Sequence, residues 1–379
     1  MQAYLDNSAT TQPCEAAVAA VTHCLTEGFY NPSSVYKPAV EAFQQLRACR
    51  EELLHALHTT SHNLTFTSGG TEANNLAILG TVARMHGKQI VAVSAVEHPS
   101  VLESFHHLAE MGHDVRIIGV NAQGELDWAA LAAALDDGAS FVSCMQVNNE
   151  TGARLDEKRL HDLVNGRALI HVDGVQGFMR VPIDLKYVDL YSLSGHKIHA
   201  PKGTGALVWR KDIHIAPRQI GGGQENGLRS GTENTPGIAG LRAAVAEMSN
   251  MGAGMQQELM QKKLHLIDAF RKAVPEMLIN GPEPEKAAPH IVNISFPGVR
   301  GEVMLHALEG MGVYASTGSA CSSKKLKVSS VLTAMGIAPS RAEWALRFSL
   351  SPHTTIEEID YAAACLETLY AQLKKYARR

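Results

Sequence analysis

Short apolar segments alternate with helical patterns over residues 64–210, and this alternation restricts the fold more than any other feature. Strands that alternate with helices favour a largely parallel sheet with helices on both faces. We therefore predict an α/β architecture for this region. The segments that predict its strands are 64–67, 90–95, 115–120, 141–147, 168–172, 188–193 and 206–209.

Most of these strands end in a polar cluster. Because the carboxyl ends of parallel strands meet at one edge of a sheet, we expect these clusters to lie close together. A single polar cluster at a strand end could be an ordinary turn. Polar clusters at several successive strand ends predict a ligand site. The clusters are Gly70-Thr71, His98, Asn149, Asp173 to Gln176, and Ser194 with His196 and Lys197.

Lys197 follows a buried strand within Ser194-Gly195-His196-Lys197. A lysine in such a place can form an imine with an aldehyde cofactor if its pKa is lowered. The alternative is a solvated lysine at the tip of a turn.

A second motif resembles a phosphate-binding turn. It consists of a strand, then Gly69-Gly70-Thr71, then a helix. The glycines allow the backbone to come close to a phosphate, and the helix N-terminus offers free N–H groups to bind it.

Asp173 and His98 each leave alternatives open. An acid directly after an apolar strand could bind a metal, a ribose hydroxyl or a protonated ring nitrogen, or it could simply cap a helix. His98 lies just beyond a strand end, where ligands gather, yet a single histidine is often structural.

The pattern changes to α+β from about residue 275 onward. We predict a large domain over 13–250, and a small domain made of 1–12 and 251–379 that carries a loop at 315–328. Cys321 lies in this loop of small and polar residues, beside two lysines. Positively charged neighbours lower the pKa of a thiol and make it more reactive. The alternative is an unreactive surface cysteine. Arg347 interrupts an apolar strand and needs a partner, either a substrate carboxylate or a structural acid.

Composition excludes several classes of function. The 379 residues carry a formal net charge of −4 with no basic tail, which argues against direct nucleic-acid binding. No apolar run approaches the roughly 18 residues of a membrane helix, and the N-terminus lacks the basic region of a secretory signal. The six cysteines are scattered without a C-x-x-C pair, so we expect neither a metal cluster nor disulfides and predict a cytoplasmic protein.

Eight motifs, in order and over nearly the whole chain, resemble the cysteine desulfurases of the NifS/IscS type. These are pyridoxal-phosphate enzymes of the class V aminotransferase group. Ser-Gly-His-Lys and Gly-Ser-Ala-Cys are the most specific pair. The motifs are Tyr4 to Thr11, Ser68 to Glu72, Val96 to His98, Asn148 to Gly152, His171 to Asp173, Ser194 to Lys197, Arg229 to Thr232 and Gly318 to Cys321.

The resemblance implies a type I fold of pyridoxal-phosphate enzymes, with a mostly parallel seven-stranded sheet between helices and a smaller α+β domain. It also implies the roles of the site residues. Lys197 would bind the cofactor covalently and move a proton, Asp173 would pair with the ring nitrogen, and Gln176 would bond the phenolic oxygen. His98 would stack on the ring and serve in proton transfer, and Cys321 would be the nucleophile. The resemblance further implies phosphate binding by Gly70, Thr71, Ser194, His196 and, across a dimer, Thr232. It implies substrate-carboxylate binding by Asn31, Asn149 and Arg347, and it also places Asn149 among the cofactor-binding residues.

L-Cysteine is the implied substrate, and L-alanine and an enzyme persulfide are the products. The implied partners are a second copy of the chain and a sulfur-acceptor protein, in iron–sulfur cluster assembly or in thiolation of tRNA or a cofactor. Two other readings stay open. One is a selenocysteine lyase or another class V enzyme, and the other is a non-catalytic interaction protein on the same fold.

Overall fold

A computed structural model describes residues 1–252, 254–317 and 329–377. Its strands are β1 Ala3–Tyr4, β2 His62–Thr67, β3 Ile90–Ser94, β4 Asp114–Ile118, β5 Ala139–Met145, β6 Leu169–Asp173, β7 Leu190–Ser194, β8 Gly205–Arg210, β9 Leu278–Asn280, β10 Ile291–Ser295, β11 Val313–Tyr314 and β12 Ala345–Ser349. Its α-helices are α1 Glu15–Thr26, α2 Lys37–Ala56, α3 Gly70–Asn75, α4 Pro99–Glu110, α5 Trp128–Asp136, α6 Glu157–Val164, α7 Thr235–Asn250, α8 Gly254–Ala273, α9 Gly301–Gly310, α10 Ser330–Ala334, α11 Pro339–Glu343 and α12 Ile356–Ala377.

A seven-stranded sheet forms the centre of the larger body, in the order β2-β8-β7-β6-β5-β3-β4. The pairs from β7 through β6, β5 and β3 to β4 are parallel, whereas β8 runs antiparallel to both of its neighbours, β7 and β2. The central strands are buried, as their apolar sequences predict for strands covered on both faces. The expectation of a mostly parallel seven-stranded α/β fold is therefore confirmed.

The helix after β2 differs from its prediction. The sequence predicts a helix from Leu76, whereas α3 begins at Gly70 and continues as a π-helical turn, Leu76–Gly80. The backbone N–H of Ala216 donates to the Gly80 carbonyl at 2.9 Å, so this carbonyl has a partner outside the helix. A Cβ on Gly80 would lie 2.7 Å from the Ala216 carbonyl oxygen, and the close approach therefore requires glycine.

A second body contains the antiparallel sheet β12-β10-β9, with α8, α9 and α12 around it. Its apolar core draws on Ala3, Leu5 and residues between 259 and 370, while the largest core of the first body lies between residues 14 and 245. The domain limits 13–250 and 1–12 plus 251–379 stay a prediction. None of the described helices combines the length and the apolar character needed to cross a bilayer.

The N-terminal segment contacts both bodies. Strand β1 pairs with β11, and the Asn7 N–H donates to the Ser349 carbonyl of the second body. A few residues later, the Thr11 N–H donates to the carbonyl of His196 in the first body at 2.9 Å. Residues 5–11 therefore cross the cleft at the carboxyl ends of β6 and β7.

Candidate active site

Lys197 ends a short 3₁₀ turn, Gly195–Lys197, that follows β7 directly. Its Nζ donates to the carbonyl oxygens of Ser8 and Ala9 at 2.5 and 2.7 Å. The amine is therefore held under the N-terminal segment, in the cleft between the two bodies. This position differs from the open turn tip that the sequence left as an alternative.

Asp173 ends the neighbouring strand β6 and is only 4% exposed. Its Oδ1 accepts from the Val175 N–H at 2.9 Å, and its Oδ2 accepts from the Asn74 side-chain amide at 2.8 Å. Burial raises the pKa of this carboxyl, while the two hydrogen bonds and the nearby His98 and Lys197 oppose the rise. A buried acid held by donors on both oxygens is suited to pair with one further cationic group.

Asn74 and Ser100 connect Asp173 to His98. The Asn74 amide nitrogen also donates to the Ser100 hydroxyl at 2.9 Å, and this hydroxyl lies 2.8 Å from His98 Nδ1. The backbone N–H of Ser100 donates to the same Nδ1 at 3.1 Å, so Nδ1 is an acceptor and the neutral ring carries its proton on Nε2. Burial lowers the pKa of His98, which favours this neutral form.

Glu97 lies buried beside this network. Its Oε1 accepts from the Met145 N–H at 2.7 Å, while its Oε2 has no partner among the described residues. Burial, and then the charge of Asp173, raise the pKa of Glu97 well above its ordinary value. Burial therefore disfavours ionisation of Glu97, and Asp173 is the acid of the site that has a hydrogen-bond donor on each oxygen.

Gln176 lies on the other side of the turn after β6. Its side-chain amide donates to the Ser8 carbonyl at 2.9 Å, so Ser8 accepts from both Gln176 and Lys197. The Gln176 Oε1 accepts from the guanidinium of Arg180 at 2.8 Å. The structure thus brings Lys197, Asp173, His98 and Gln176 to one cleft.

The glycine turn before α3 lies against the end of β7. A Cβ on Gly69 would be 3.8 Å from the Ser194 hydroxyl, and one on Gly70 would lie 2.4 Å from a methyl of Val175. Ser194 is buried, whereas Thr71 is exposed at the first turn of the helix. His196 Nδ1 lies 3.2 Å from the Thr10 hydroxyl, and burial, then the charges of Lys197, Lys202 and Arg180, lower its pKa to about 4.

Arg347 lies in β12 and is 5% exposed. One guanidinium nitrogen donates to Asp6 at 2.6 Å and another donates to the Asn149 carbonyl at 3.0 Å, while Nε is buried without a partner among the described residues. Of the two partners that the sequence left open, the structure contains the acidic one. The Asn149 carbonyl nevertheless brings Arg347 of the second body against the loop that follows β5.

Three residues implied by the resemblance are not part of this network. Asn31 and Thr232 are exposed, and the Asn31 side chain accepts from the Ser33 N–H at 2.9 Å. Cys321 lies outside the described residues. Conversely, sequence reasoning assigned no role to Asn74, Ser100, Glu97 or Arg180, because no local pattern distinguishes them from ordinary polar residues.

The described residues fit pyridoxal phosphate. The Lys197 amine, the buried Asp173 carboxyl group and the Gln176 amide match an aldehyde, a ring nitrogen and a phenolic oxygen in turn. The glycine turn beside Ser194 is compact enough for backbone N–H groups to approach a phosphate. Two buried polar atoms of the site, the Ser8 hydroxyl and the Asn74 carbonyl oxygen, still lack partners within the described chain.

Comparison with known proteins identifies the family. Residues 3–362 match the family model described as aminotransferase class-V. The cysteine desulfurase NifS of Azotobacter vinelandii is 37% identical over 377 residues, which cover 98% of this chain and 93% of that protein. A solved structure described as a NifS-like protein superposes with a TM-score of 0.91 at 30% identity, over 98% of this chain and 100% of the other. Another, described as SspA in complex with cysteine, has a TM-score of 0.80 at 28% identity, over 93% of this chain and 100% of the other.

The family match covers nearly the whole chain, and it agrees with the seven-stranded sheet and with the position of Lys197 and Asp173 at the ends of neighbouring strands. The chain therefore belongs to the class-V aminotransferase family of pyridoxal-phosphate-dependent enzymes.

Proposed function

We propose that this protein is a pyridoxal-phosphate-dependent cysteine desulfurase, which converts L-cysteine to L-alanine and retains the sulfur as an enzyme persulfide. The observation that carries the proposal is the convergence of Lys197, Asp173 and His98 in one cleft. Relatives named cysteine desulfurases, at 34–37% identity over nearly the full chain, support the choice within the family.

Bound pyridoxal phosphate supplies an electron sink that makes the substrate Cα–H bond acidic. Lys197 would be the attachment point and the base that moves this proton. Asp173 would pair with the ring nitrogen, and Gln176 would donate to the phenolic oxygen. His98 would stack on the ring and hold a proton on Nε2 for transfer. Gly70, Thr71, Ser194 and His196 would bind the phosphate, together with Thr232 of the partner subunit.

Arg347 binds the substrate carboxylate together with Asn31 and Asn149. Its Asp6 ion pair orients the guanidinium, and the unpartnered, buried Nε supports a further acceptor at this side chain. A bound carboxylate would compete with or join Asp6, since a guanidinium has five N–H donors.

Cys321 is the nucleophile. Its thiolate attacks the sulfur of bound cysteine, the carbon–sulfur bond breaks, and the released three-carbon fragment takes up a proton to leave as L-alanine. The sulfur stays on Cys321 as a persulfide and passes to an acceptor protein, for iron–sulfur cluster assembly or for thiolation of tRNA or a cofactor.

We further propose a cytoplasmic homodimer in which Thr232 reaches the partner's phosphate site. Large apolar side chains are exposed along α1 and α2 and between them, beside a groove of about 840 Å³ between α1, α2 and α7, which supports burial of this face. Those side chains include Leu25, Phe29, Val35, Tyr36 and Phe43.

The five described cysteines are buried, unpaired thiols, which supports a reducing compartment. We retain the two-domain division at 13–250 and at 1–12 plus 251–379.

Two variants test the proposal. Lys197→Ala should abolish the visible absorbance band of the purified protein. Cys321→Ala should keep the band and reduce alanine production from L-cysteine by roughly 100-fold or more, because the nucleophile is lost. Cys365→Ala, which removes a buried thiol of the second body, should leave turnover unchanged and is the matched control. Alanine formation at the wild-type rate by Cys321→Ala would contradict the persulfide step.

A further inference from the structure

Arg180 is a buried cation with an unusual set of partners. It is 2% exposed, and one guanidinium nitrogen donates to Gln176 Oε1 at 2.8 Å and, more weakly, to the Val175 carbonyl at 3.4 Å. Its Nε and its other terminal nitrogen are buried without a hydrogen-bond partner in the described part of the chain. No ion pair joins it to a carboxylate among the described residues.

Other basic groups lie close to Arg180. His290 is fully buried, and its pKa is lowered well below the ordinary value by burial and then by the charges of Arg180 and Lys263. The charge of Arg180 also lowers the pKa values of His196 and His199 and opposes the rise in the pKa of Tyr191. Burial lowers the pKa of Arg180 itself to about 9, so the guanidinium is charged at neutral pH. A buried charge without an acidic partner destabilises the folded protein, so its presence points to a function.

The contact with Gln176 supplies such a role. A guanidinium only donates hydrogen bonds, so the oxygen of the Gln176 amide must face Arg180 and the NH₂ group must face away. That NH₂ group points to the Ser8 carbonyl, which also accepts from Lys197. Arg180 and the Ser8 carbonyl therefore fix together which end of the Gln176 amide is presented to the cleft.

We propose that Arg180 is a positioning residue that holds Gln176 as a donor toward the cofactor's phenolic oxygen and places a positive charge directly behind that amide. The inference rests on the proposed function, because it assigns the acceptor to pyridoxal phosphate. The charge stabilises the deprotonated form of the chromophore, in which the phenolic oxygen is an anion.

The test is a pH titration of the visible band of the purified holoenzyme. Arg180→Met removes the charge and the donor at similar volume and should raise the pH midpoint of the band by about one unit, since a charge behind the Gln176 amide acts through a poorly screened interior. Arg180→Lys keeps a charge and a donor, and should restore most of the wild-type midpoint. Lys263→Met removes another buried basic side chain, one that donates to the Ala288 carbonyl rather than to Gln176, and should leave the midpoint unchanged.

Denaturant unfolding of the apoprotein separates positioning from a merely structural role. Loss of a structural contact would lower the unfolding midpoint of Arg180→Met, whereas loss of an uncompensated buried charge should leave it unchanged or higher. Arg180→Gln is the second variant if Arg180→Met does not fold.

An unshifted band in a folded Arg180→Met or Arg180→Gln protein overturns the inference, as does an equal shift in Lys263→Met. A wild-type protein without a visible band would instead refute the proposed function, and the inference with it.

Discussion

Two buried polar clusters flank the turn that follows β6, and they are built on opposite principles. The acid cluster (Asp173, Asn74, Ser100 and His98) joins donors to acceptors, and its carboxylate accepts on both oxygens. The basic cluster (Gln176, Arg180, His290 and Lys263) combines one amide with three basic side chains, and Arg180 keeps two nitrogens without partners among the described residues. A hydrogen-bonded network fixes geometry, whereas a buried charge without an acidic partner maintains an electrostatic field at the expense of stability.

This difference separates the expected effects of substitution. In the acid cluster a change should damage chemistry, because each group orients the next one. In the basic cluster the removal of a charge should alter the electrostatics of the cleft while leaving the fold intact or more stable. The two clusters share one strand end, so both kinds of effect can be measured in one protein.

The largest expected effect lies in the acid cluster, at Asp173. Asp173→Asn should reduce turnover by roughly 10²–10³-fold, the usual loss when one preorganised electrostatic partner is removed. The fold should survive, because Asn74 has an unpartnered carbonyl oxygen that can accept from the new amide after a flip. Steady-state alanine formation, measured at saturating cofactor, checks this prediction.

Asp189→Asn is the matched control for this variant. Asp189 is also a buried acid at a strand end, but it accepts from the Ile170 N–H and pairs with Arg210. The Asp189→Asn protein should be less stable than the wild type without a comparable loss of turnover. If Asp173→Asn kept turnover within about threefold of the wild type, Asp173 would be no more than the turn-capping residue that its sequence position also allows.

The sequence predicts the sheet well because buried parallel strands leave a local apolar signature. Each strand of the central sheet overlaps an apolar segment read from the chain, and Lys197 and Asp173 were placed by their positions after such segments. The π-helical turn could not be predicted in this way, because it accompanies a contact between Gly80 and the distant Ala216.

Side-chain partners are harder to predict than strands. Arg347 visibly needed an acceptor, but Asp6 is 341 residues away in sequence, and two kinds of partner were equally reasonable. Asn74 gains its importance only when α3, α4 and β6 are brought together. Arg180 is four residues from Gln176, yet nothing local shows that its guanidinium is buried without an acid.

A smaller effect is expected within the acid cluster, at Ser100. Ser100→Ala removes the hydroxyl that donates to His98 Nδ1 but keeps the backbone N–H that donates to the same atom. The neutral form of His98 loses a hydrogen bond, so its pKa should rise, and the acidic limb of the pH–rate profile should move to higher pH. We expect about a tenfold loss of turnover below neutral pH.

Ser104→Ala is the control for Ser100→Ala. Its hydroxyl lies on the same helix and donates to the Ser100 carbonyl, with no hydrogen bond to His98. An equal displacement of the pH–rate profile in both variants would show that the helix as a whole, rather than the tautomer of His98, had changed.

The last effect is on stability rather than on turnover, and it is expected in the basic cluster at Lys263. Burial lowers the pKa of this lysine from 10.5 to about 7, so between these values the unfolded chain binds more protons than the folded one. The free energy of unfolding should therefore rise with pH through this window, by at most about 1.4 kcal/mol per pH unit from this group. Lys263→Met should flatten the slope and raise stability near neutral pH. Urea unfolding followed by circular dichroism at about pH 7 and 9 would measure both changes.

Lys262→Met is the control for Lys263→Met. Lys262 lies on the same helix, but its amine is 2.7 Å from Glu258, so this variant should keep the wild-type slope. A Lys263→Met protein that is less stable near pH 7, with the slope intact, would mean that the bond to the Ala288 carbonyl outweighs the buried charge, and the contrast between the two clusters would then not extend to Lys263.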